Sequence, residues 1–221
     1  MTRLAFDWRT VDIEELVIAG WTARDVAALN RHIEELKAIG VQPPSKVPLY
    51  YRVAACLLTQ AESIQVLGDE TSGEIEPVLM GAPDRLWVTV GSDHTDRRLV
   101  SYGVAVSKQA CPKVFARTAW RFEEVEPHWD QLVLRSFIEQ DGQKVLYQEG
   151  ALAELRRPRE LIAGWRNGDT RLPPHVAMFC GTLPAIGGVR SSSRFAMEID
   201  DPVLGRKLSH AYSVQALPLI S

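Results

Sequence analysis

The stretch 73–113, GEIEPVLMGAPDRLWVTVGSDHTDRRLVSYGVAVSKQACPK, constrains this chain most. Residues two apart on a strand point to the same side. Glu74 and Glu76 therefore share a face, with Ile75 turned the other way. Residues 86–90 read as a short strand rich in β-branched residues, ending at Gly91. If the two strands pair, Asp93, in a Gly-Ser-Asp turn, arrives beside the glutamates. Three carboxylates gathered without neutralising charge are destabilising, and a hard divalent cation is the usual remedy. Mg2+ or Mn2+ takes oxygen ligands and keeps coordination places for water and substrate. The stretch thus has two readings: a metal site built from Glu74, Glu76 and Asp93, or a solvated edge strand with two outward glutamates.

A chain of 221 residues, 46% hydrophobic and 24% charged, has the size and composition of one moderate domain with a sizeable core. No repeat or low-complexity linker divides it. The net charge of −3, without a basic block or basic–aromatic interleaving, argues against a nucleic-acid partner. Cys56, Cys111 and Cys180 are odd in number and widely spaced, which fits a reducing compartment better than a disulfide framework or a zinc site. The start, MTRLAFDWRT, lacks the apolar core of a signal peptide. No apolar run approaches the roughly 20 residues needed to span a bilayer. The expectation is a cytoplasmic protein with no membrane partner.

Residues 4–8 alternate as a first strand, and 11–20 fits either a helix or a strand. Thr22 reads as a helix N-cap with Asp25 three residues on, an acidic variant of the capping box. The helix runs over 22–40 to a C-cap at Gly40, with Val26, Leu29, Ile33 and Leu36 as its apolar stripe. His32 and Glu35 are neighbours on its surface, either as an acid–base pair or as a casual contact on a polar face. Pro43, Pro44 and Pro48 then break the chain. Further strands are predicted at 49–53, 64–67, 114–120, 176–179, 194–199 and 208–216. Asp141-Gly142 suits a type I′ turn between 132–139 and 144–148. Pro158 marks the start of another helix, closed near Gly168. Many strands with few short helices predict a mostly antiparallel α+β fold.

Taken in order, these stretches resemble the fumarylacetoacetate hydrolase-like superfamily, closest to an uncharacterised bacterial branch with Ser-Gly-Glu-x-Glu and Ser-Asp-His-Thr-Asp-Arg stretches. The superfamily's E-x-E metal pair is matched by Glu74 and Glu76. Its Asn-Asp-x-Ser-Ala-Arg-Asp-like turn is matched in part by Ser92-Asp93-His94-Thr95-Asp96-Arg97. Its Gly-Lys-Ser-Phe-like segment is matched by Pro112-Lys113-Val114-Phe115, and an upstream His-x-x-Glu by His32 and Glu35. A Pro-x-Leu-Phe-x-Lys segment is similar to Pro48-Leu49-Tyr50-Tyr51-Arg52. A late Leu-x-x-Gly-Asp-x-Ile-x-x-Gly-Thr-Pro segment is similar to 172–184, with Gly181-Thr182-Leu183-Pro184 at its end. Each motif alone is weak, and their shared order over 30–217 makes the resemblance specific. The chain departs from the pattern at Arg52, where a lysine is usual, and at Asp96, where a small residue is preferred. It also lacks the late Gly-Asp, and the loop after Thr182 differs, with Gly187, Gly188 and three serines. These departures fall near where members recognise the distal part of the substrate.

The resemblance implies a fumarylacetoacetase C-terminal-domain-like mixed β-sandwich roll with short helices, and 1–221 reads as one such domain; the helix over 22–40, polar on one side and bounded by Gly40 and the prolines, is a candidate lid. It implies a homodimer. It also implies a 2-oxo acid substrate that chelates Mg2+ or Mn2+ through its carboxylate and carbonyl oxygens. The metal then acts as a Lewis acid that stabilises an enolate. Lys113 adds positive charge near the same oxygens, or is only a surface lysine. Thr182 holds the substrate carboxylate, or is only a turn residue. Arg97 binds a substrate oxygen, or only ties down Asp96. Arg52 meets an acidic tail, or is a strand-edge charge. His94, His128, His175 and His210 show no metal-ligand spacing and read as structural. Three functions follow. The first is a hydrolase that cleaves a C–C bond in an acylpyruvate-like acid, with His32 and Glu35 activating water. The second is a decarboxylase, hydratase, dehydratase or isomerase on the same site. The third is a non-catalytic metal- or ligand-binding protein of the same fold.

Overall fold

Runs rich in β-branched and aromatic residues set most of this chain's regular structure into strands. The computed structural model describes residues 1–6, 10–38, 40 and 42–220, the side chains of 32, 35 and 36 excepted. Among the described residues there are seventeen strands. They are β1 (Thr2–Ala5), β2 (Thr10–Ile13), β3 (Glu15–Gly20), β4 (Leu49–Val53), β5 (Leu58–Thr59), β6 (Ser63–Leu67), β7 (Thr71–Ser72), β8 (Ile75–Gly81), β9 (Leu86–Asp93), β10 (Thr95–Asp96), β11 (Lys113–Phe115), β12 (Trp120–Arg121), β13 (Val133–Gln140), β14 (Gln143–Ala151), β15 (Val176–Phe179), β16 (Arg194–Asp201) and β17 (Arg206–Leu217). The α-helices among the described residues are α1 (Val26–Ala38), α2 (Val104–Gln109), α3 (Phe122–Val125) and α4 (Pro158–Trp165).

An eight-stranded sheet runs β4-β3-β15-β8-β9-β11-β5, with β12 also on β9, and a five-stranded sheet runs β14-β13-β16-β17-β6. The pairs β3–β15, β5–β11 and β6–β17 are parallel, within an otherwise antiparallel pattern. This is the mixed α+β sandwich that the sequence predicts, with few and short helices.

The larger sheet is buried on both faces. Along β8, Ile75 and Leu79 enter the cluster shared with the five-stranded sheet, among Phe195, Ile199 and Tyr212. Val78 and Met80 enter a second cluster, closed by Leu4, Phe6, Val11 and Ile13 from the β1–β2 hairpin. By the same alternation Glu76 belongs to the face of Val78 and Met80, turned away from the smaller sheet.

Several local expectations are corrected. The strand predicted to end at Gly91 runs on to Asp93, so no turn precedes the aspartate. A Cβ at Gly91 would lie 2.6 Å from Val78 Cγ2, so this glycine permits close packing inside the strand. The α1 N-cap is Asp25, whose Oδ1 accepts from the Ala27 and Ala28 N–H groups at 2.8 and 3.1 Å. Thr22 lies before the helix, buried. Leu29 is buried but Val26 is exposed, so the expected stripe is partial. The strand expected at 114–120 is two short ones, β11 and β12. The Asp141-Gly142 turn has φ of 52° and 72°, the left-handed pair of a type I′ hairpin. Of the run 4–8, residues 7 and 8 lie outside the described residues. Among the described residues no helix is long and apolar enough to cross a membrane.

Candidate metal centre

Strand register assembles the centre. The Asp93 N–H donates to the Glu74 carbonyl at 2.9 Å, and Asp93 lies opposite Lys113 in the β9–β11 pairing. Residues directly opposite on neighbouring chain segments share a face, so Glu74, just before β8, forms a row with Asp93 on β9 and Lys113 on β11. Glu76, two residues along, extends the row. One oxygen from each of Glu74, Glu76 and Asp93 falls within 4.8 Å of the others.

Three cations surround the carboxylates. Lys113 Nζ lies 3.0 Å from Asp93 Oδ1 and donates to the His94 carbonyl at 2.6 Å. Arg97 Nη2 lies 2.9 Å from Glu74 Oε1, and its Nε donates to Ser72 Oγ at 2.6 Å. Lys108 arrives from α2. Its Nζ makes a close hydrogen bond to Asp93 Oδ2 and reaches Glu74 Oε2 at 3.4 Å. Asp93 and Lys113 are fully buried, while Glu74 and Arg97 retain some exposure and form the outer rim.

The three acids are unequal. Burial drives the Asp93 carboxyl up, but Lys108 and Lys113 outweigh it and hold the group below its usual range. Burial likewise opposes ionisation of Glu74, and Arg97 and Lys108 overcome it. Glu76 goes the other way. Burial, then the Asp93 charge, push it well above the usual carboxylate range. Among the described residues no cation lies at ion-pair distance from Glu76, whose Oε2 accepts the Gly181 N–H at 2.6 Å. Asp93 Oδ1, for its part, is buried and accepts no well-formed hydrogen bond despite its nearness to Lys113. Three converging carboxylates, one of them without its own cation, fit a hard oxygen-seeking ion such as Mg2+ or Mn2+.

The surroundings hold this geometry. Gly181 has φ +96°, and a Cβ there would lie 1.7 Å from Thr22 Oγ1, so only glycine lets this N–H meet Glu76. The Thr182 hydroxyl donates to the Ile75 carbonyl at 2.7 Å and accepts from Gln148 Nε2 at 2.9 Å. Gln148 Oε1 accepts from the Ile75 N–H at 3.1 Å and from Ser136 Oγ at 2.9 Å, and its Nε2 also donates to the Leu183 carbonyl at 2.6 Å. One buried amide thus joins the residue between the two glutamates to the loop after β15. Behind Asp93, the His94 ring bonds Tyr212 Oη at 2.9 Å and Thr71 Oγ1 at 2.8 Å, and Tyr212 donates to Ser92 Oγ at 2.8 Å. Burial, aided by Lys113 and Arg97, lowers the His94 pKa to about 3, so the ring is neutral, in keeping with the structural reading of its sequence position.

The remaining candidates are placed as follows. Arg97 contacts Glu74 rather than tying down Asp96, which instead caps the Arg98 and Leu99 N–H groups at 2.9 and 3.1 Å. Arg52 is paired with Glu15 at 2.6 Å, on the β4 face opposite Tyr51. It is Tyr51 whose ring lies 5.8 Å from Lys108 Nζ. His32 and Glu35 lie on α1, but their side chains are outside the described residues. The residues that sequence reasoning underrates are Lys108, Tyr51, Gln148 and Gly181.

A family model described as "Protein of unknown function (DUF2848)" matches residues 19–212. The chain belongs to the DUF2848 family. Among curated proteins none matches it. Solved structures similar to it include a candidate fumarylpyruvate hydrolase from Burkholderia cenocepacia, at 15% identity and TM-score 0.70, covering 98% of this chain and 92% of that one. A candidate fumarylacetoacetate isomerase/hydrolase from Oleispira antarctica is 18% identical with TM-score 0.65, covering 97% and 100%. A 2-keto-3-deoxy-D-arabinonate dehydratase complexed with magnesium and 2,5-dioxopentanoate is 16% identical with TM-score 0.66, covering 96% and 76%. This DUF2848 chain therefore has the fold of the fumarylacetoacetate hydrolase-like proteins.

Proposed function

We propose that this chain is a divalent-metal-dependent enzyme acting on 2-oxo acids, and that it hydrolyses a C–C bond in an acylpyruvate-like substrate. The observation that carries the reading is the convergence of Glu74, Glu76 and Asp93, with Glu76 lacking a cation of its own. These three residues would hold Mg2+ or Mn2+, which when bound supplies Lewis-acid polarisation of the substrate's carboxylate and 2-oxo group. Arg97, on the outer rim beside Glu74, is placed to meet a substrate oxygen. Lys113 keeps Asp93 ionised and adds fixed positive charge where negative charge develops. Thr182, whose hydroxyl is engaged by the Ile75 carbonyl and Gln148, positions the Ile75 backbone and meets the substrate carboxylate through its own main chain. Arg52, held by Glu15, meets substrate only if that ion pair opens. His32 and Glu35 on α1 act as the pair that deprotonates water for attack on the distal carbonyl, and α1 serves as a lid. The reading includes a cytoplasmic homodimer within the uncharacterised bacterial branch.

A second reading is dehydration of a 2-oxo acid on the same residues. The fold shared with the magnesium-bound dehydratase supports it. The test is a screen of 2-oxo and 2,4-dioxo acids with Mg2+ and with Mn2+, with the products identified. Pyruvate plus a second carboxylic acid supports hydrolysis, and a product lighter by one water supports dehydration. No metal-dependent consumption of any acid overturns both.

A further inference from the structure

We propose that Lys108 and the divalent cation are alternative occupants of the same carboxylate oxygens, so that the lysine is a tethered competitor displaced when metal binds. The inference rests on the metal-site reading above and adds a residue to it. Lys108 Nζ bonds Asp93 Oδ2 closely and approaches Glu74 Oε2 at 3.4 Å. These are two of the three ligands that the cation needs. An ammonium bonded to an oxygen and a divalent ion coordinated by that oxygen come within a few ångströms of each other, where like charges in a buried setting repel strongly. The competitor is well seated. Its side chain is only 9% exposed and lies between the Asp93 and Glu74 carboxylates.

Lys113 has a different part. Its ammonium touches Asp93 Oδ1 alone among the carboxylates and is anchored by the His94 carbonyl at 2.6 Å. It can remain in place when Asp93 Oδ2 and the glutamates take a metal. Lys108 sits on a six-residue helix fixed to the end of β4, where Gln109 Oε1 accepts the Ala54 N–H at 2.9 Å. The helix therefore stays put while the long side chain swings. A second seat lies beside it. The Tyr51 ring is 5.8 Å from Lys108 Nζ, within cation–π reach, and its hydroxyl accepts from Trp21 Nε1 at 3.0 Å, which steadies the ring. Displacement thus moves the ammonium from the ligand oxygens toward the Tyr51 face.

The test is Mn2+ affinity, measured by calorimetry on the whole chain for wild type, Lys108→Met and Lys113→Met. Tighter binding by roughly tenfold or more in Lys108→Met, exceeding any gain in Lys113→Met, supports the proposal. Wild type that binds Mn2+ with Lys108→Met no tighter overturns it and leaves the metal-site reading standing. Absence of Mn2+ binding in both wild type and Lys108→Met overturns the metal-site reading itself. Should Lys108→Met fail to fold, the wild-type crystal structure with Mn2+ decides. Lys108 Nζ moved off Asp93 Oδ2 supports the proposal, and Nζ still bonded there beside a bound ion overturns it.

Discussion

Replacing Gln148 with leucine tests whether one buried amide holds the centre together. Gln148 is 2% exposed and uses both faces of its amide: Oε1 accepts from Ile75 and Ser136, and Nε2 donates to Thr182 and Leu183. Leucine has a similar volume, so the cavity contribution is small. It leaves the Ile75 N–H and the Leu183 carbonyl without their side-chain partner in the interior. Each buried polar group so orphaned costs about 1–3 kcal/mol. The Thr182 hydroxyl keeps its bond to the Ile75 carbonyl, which limits the damage. The expected loss is about 3–5 kcal/mol, read as a lowered urea midpoint with an unchanged slope; with a slope of about 2 kcal/mol/M the midpoint falls by about 1.5–2.5 M. Ser136→Ala removes one of two donors to Oε1 and should cost only about 1 kcal/mol. Because Ile75 lies between Glu74 and Glu76, Gln148→Leu should also weaken Mn2+ binding by about tenfold. A loss below about 1 kcal/mol would show that these bonds do not hold the loop, and the reasoning would be refuted.

Gly181→Ala places a Cβ 1.7 Å from Thr22 Oγ1 at a φ of +96°, so thermal unfolding should show a loss of at least about 2 kcal/mol, together with weaker Mn2+ binding; wild-type stability would contradict the close packing. Lys113→Met should abolish turnover while Mn2+ affinity is kept or raised, and undiminished activity would remove Lys113 from the reaction. His32→Ala and Glu35→Gln should each lower kcat on the true substrate by roughly 10²–10⁴-fold while a 2-oxo acid still binds; normal turnover in both makes α1 a packing element and favours the dehydratase reading. For His94 the folded pKa of about 3 lies below the usual 6.5, so between those values the unfolded chain binds a proton that the folded chain does not. Its contribution makes stability fall with pH below about 6.5, by up to about 1.4 kcal/mol per pH unit, and His94→Gln should flatten that slope in urea titrations; an unchanged slope would contradict the neutral, buried ring.

The parts of this fold legible in the sequence are those with short-range signals. The aromatic run at 49–53, the continuous apolar run at 176–179, the Asp-Gly turn and Pro158 each carry their own structural instruction. The pair Glu74 and Glu76 is also visible, because strand alternation alone puts both on one face. Asp93 is legible as a neighbour, although its place inside β9 is hidden, since Gly91 looks like a strand end and is really an accommodation for Val78. Lys108 is poorly legible for a physical reason. The buried residues of α2 are Ser107 and Lys108 while Val106 is exposed, so the helix turns its polar side inward and shows no amphipathic pattern. Gln148 is silent in sequence because its meaning lies in contacts across two sheets. Tyr51 is masked by Arg52, the more conspicuous neighbour, which the strand turns to its other face. The cap at Asp25 rather than Thr22 shows the usual ambiguity between two acceptable capping residues three positions apart.

The measurement that tests the central claim most directly is anomalous diffraction from crystals of this chain soaked in Mn2+. The account predicts one peak at the row formed by β8, β9 and β11, with oxygens of Glu74, Glu76 and Asp93 all within roughly 2.0–2.2 Å of it. The three side chains pointing to separate places, or a peak that none of them touches, would contradict it.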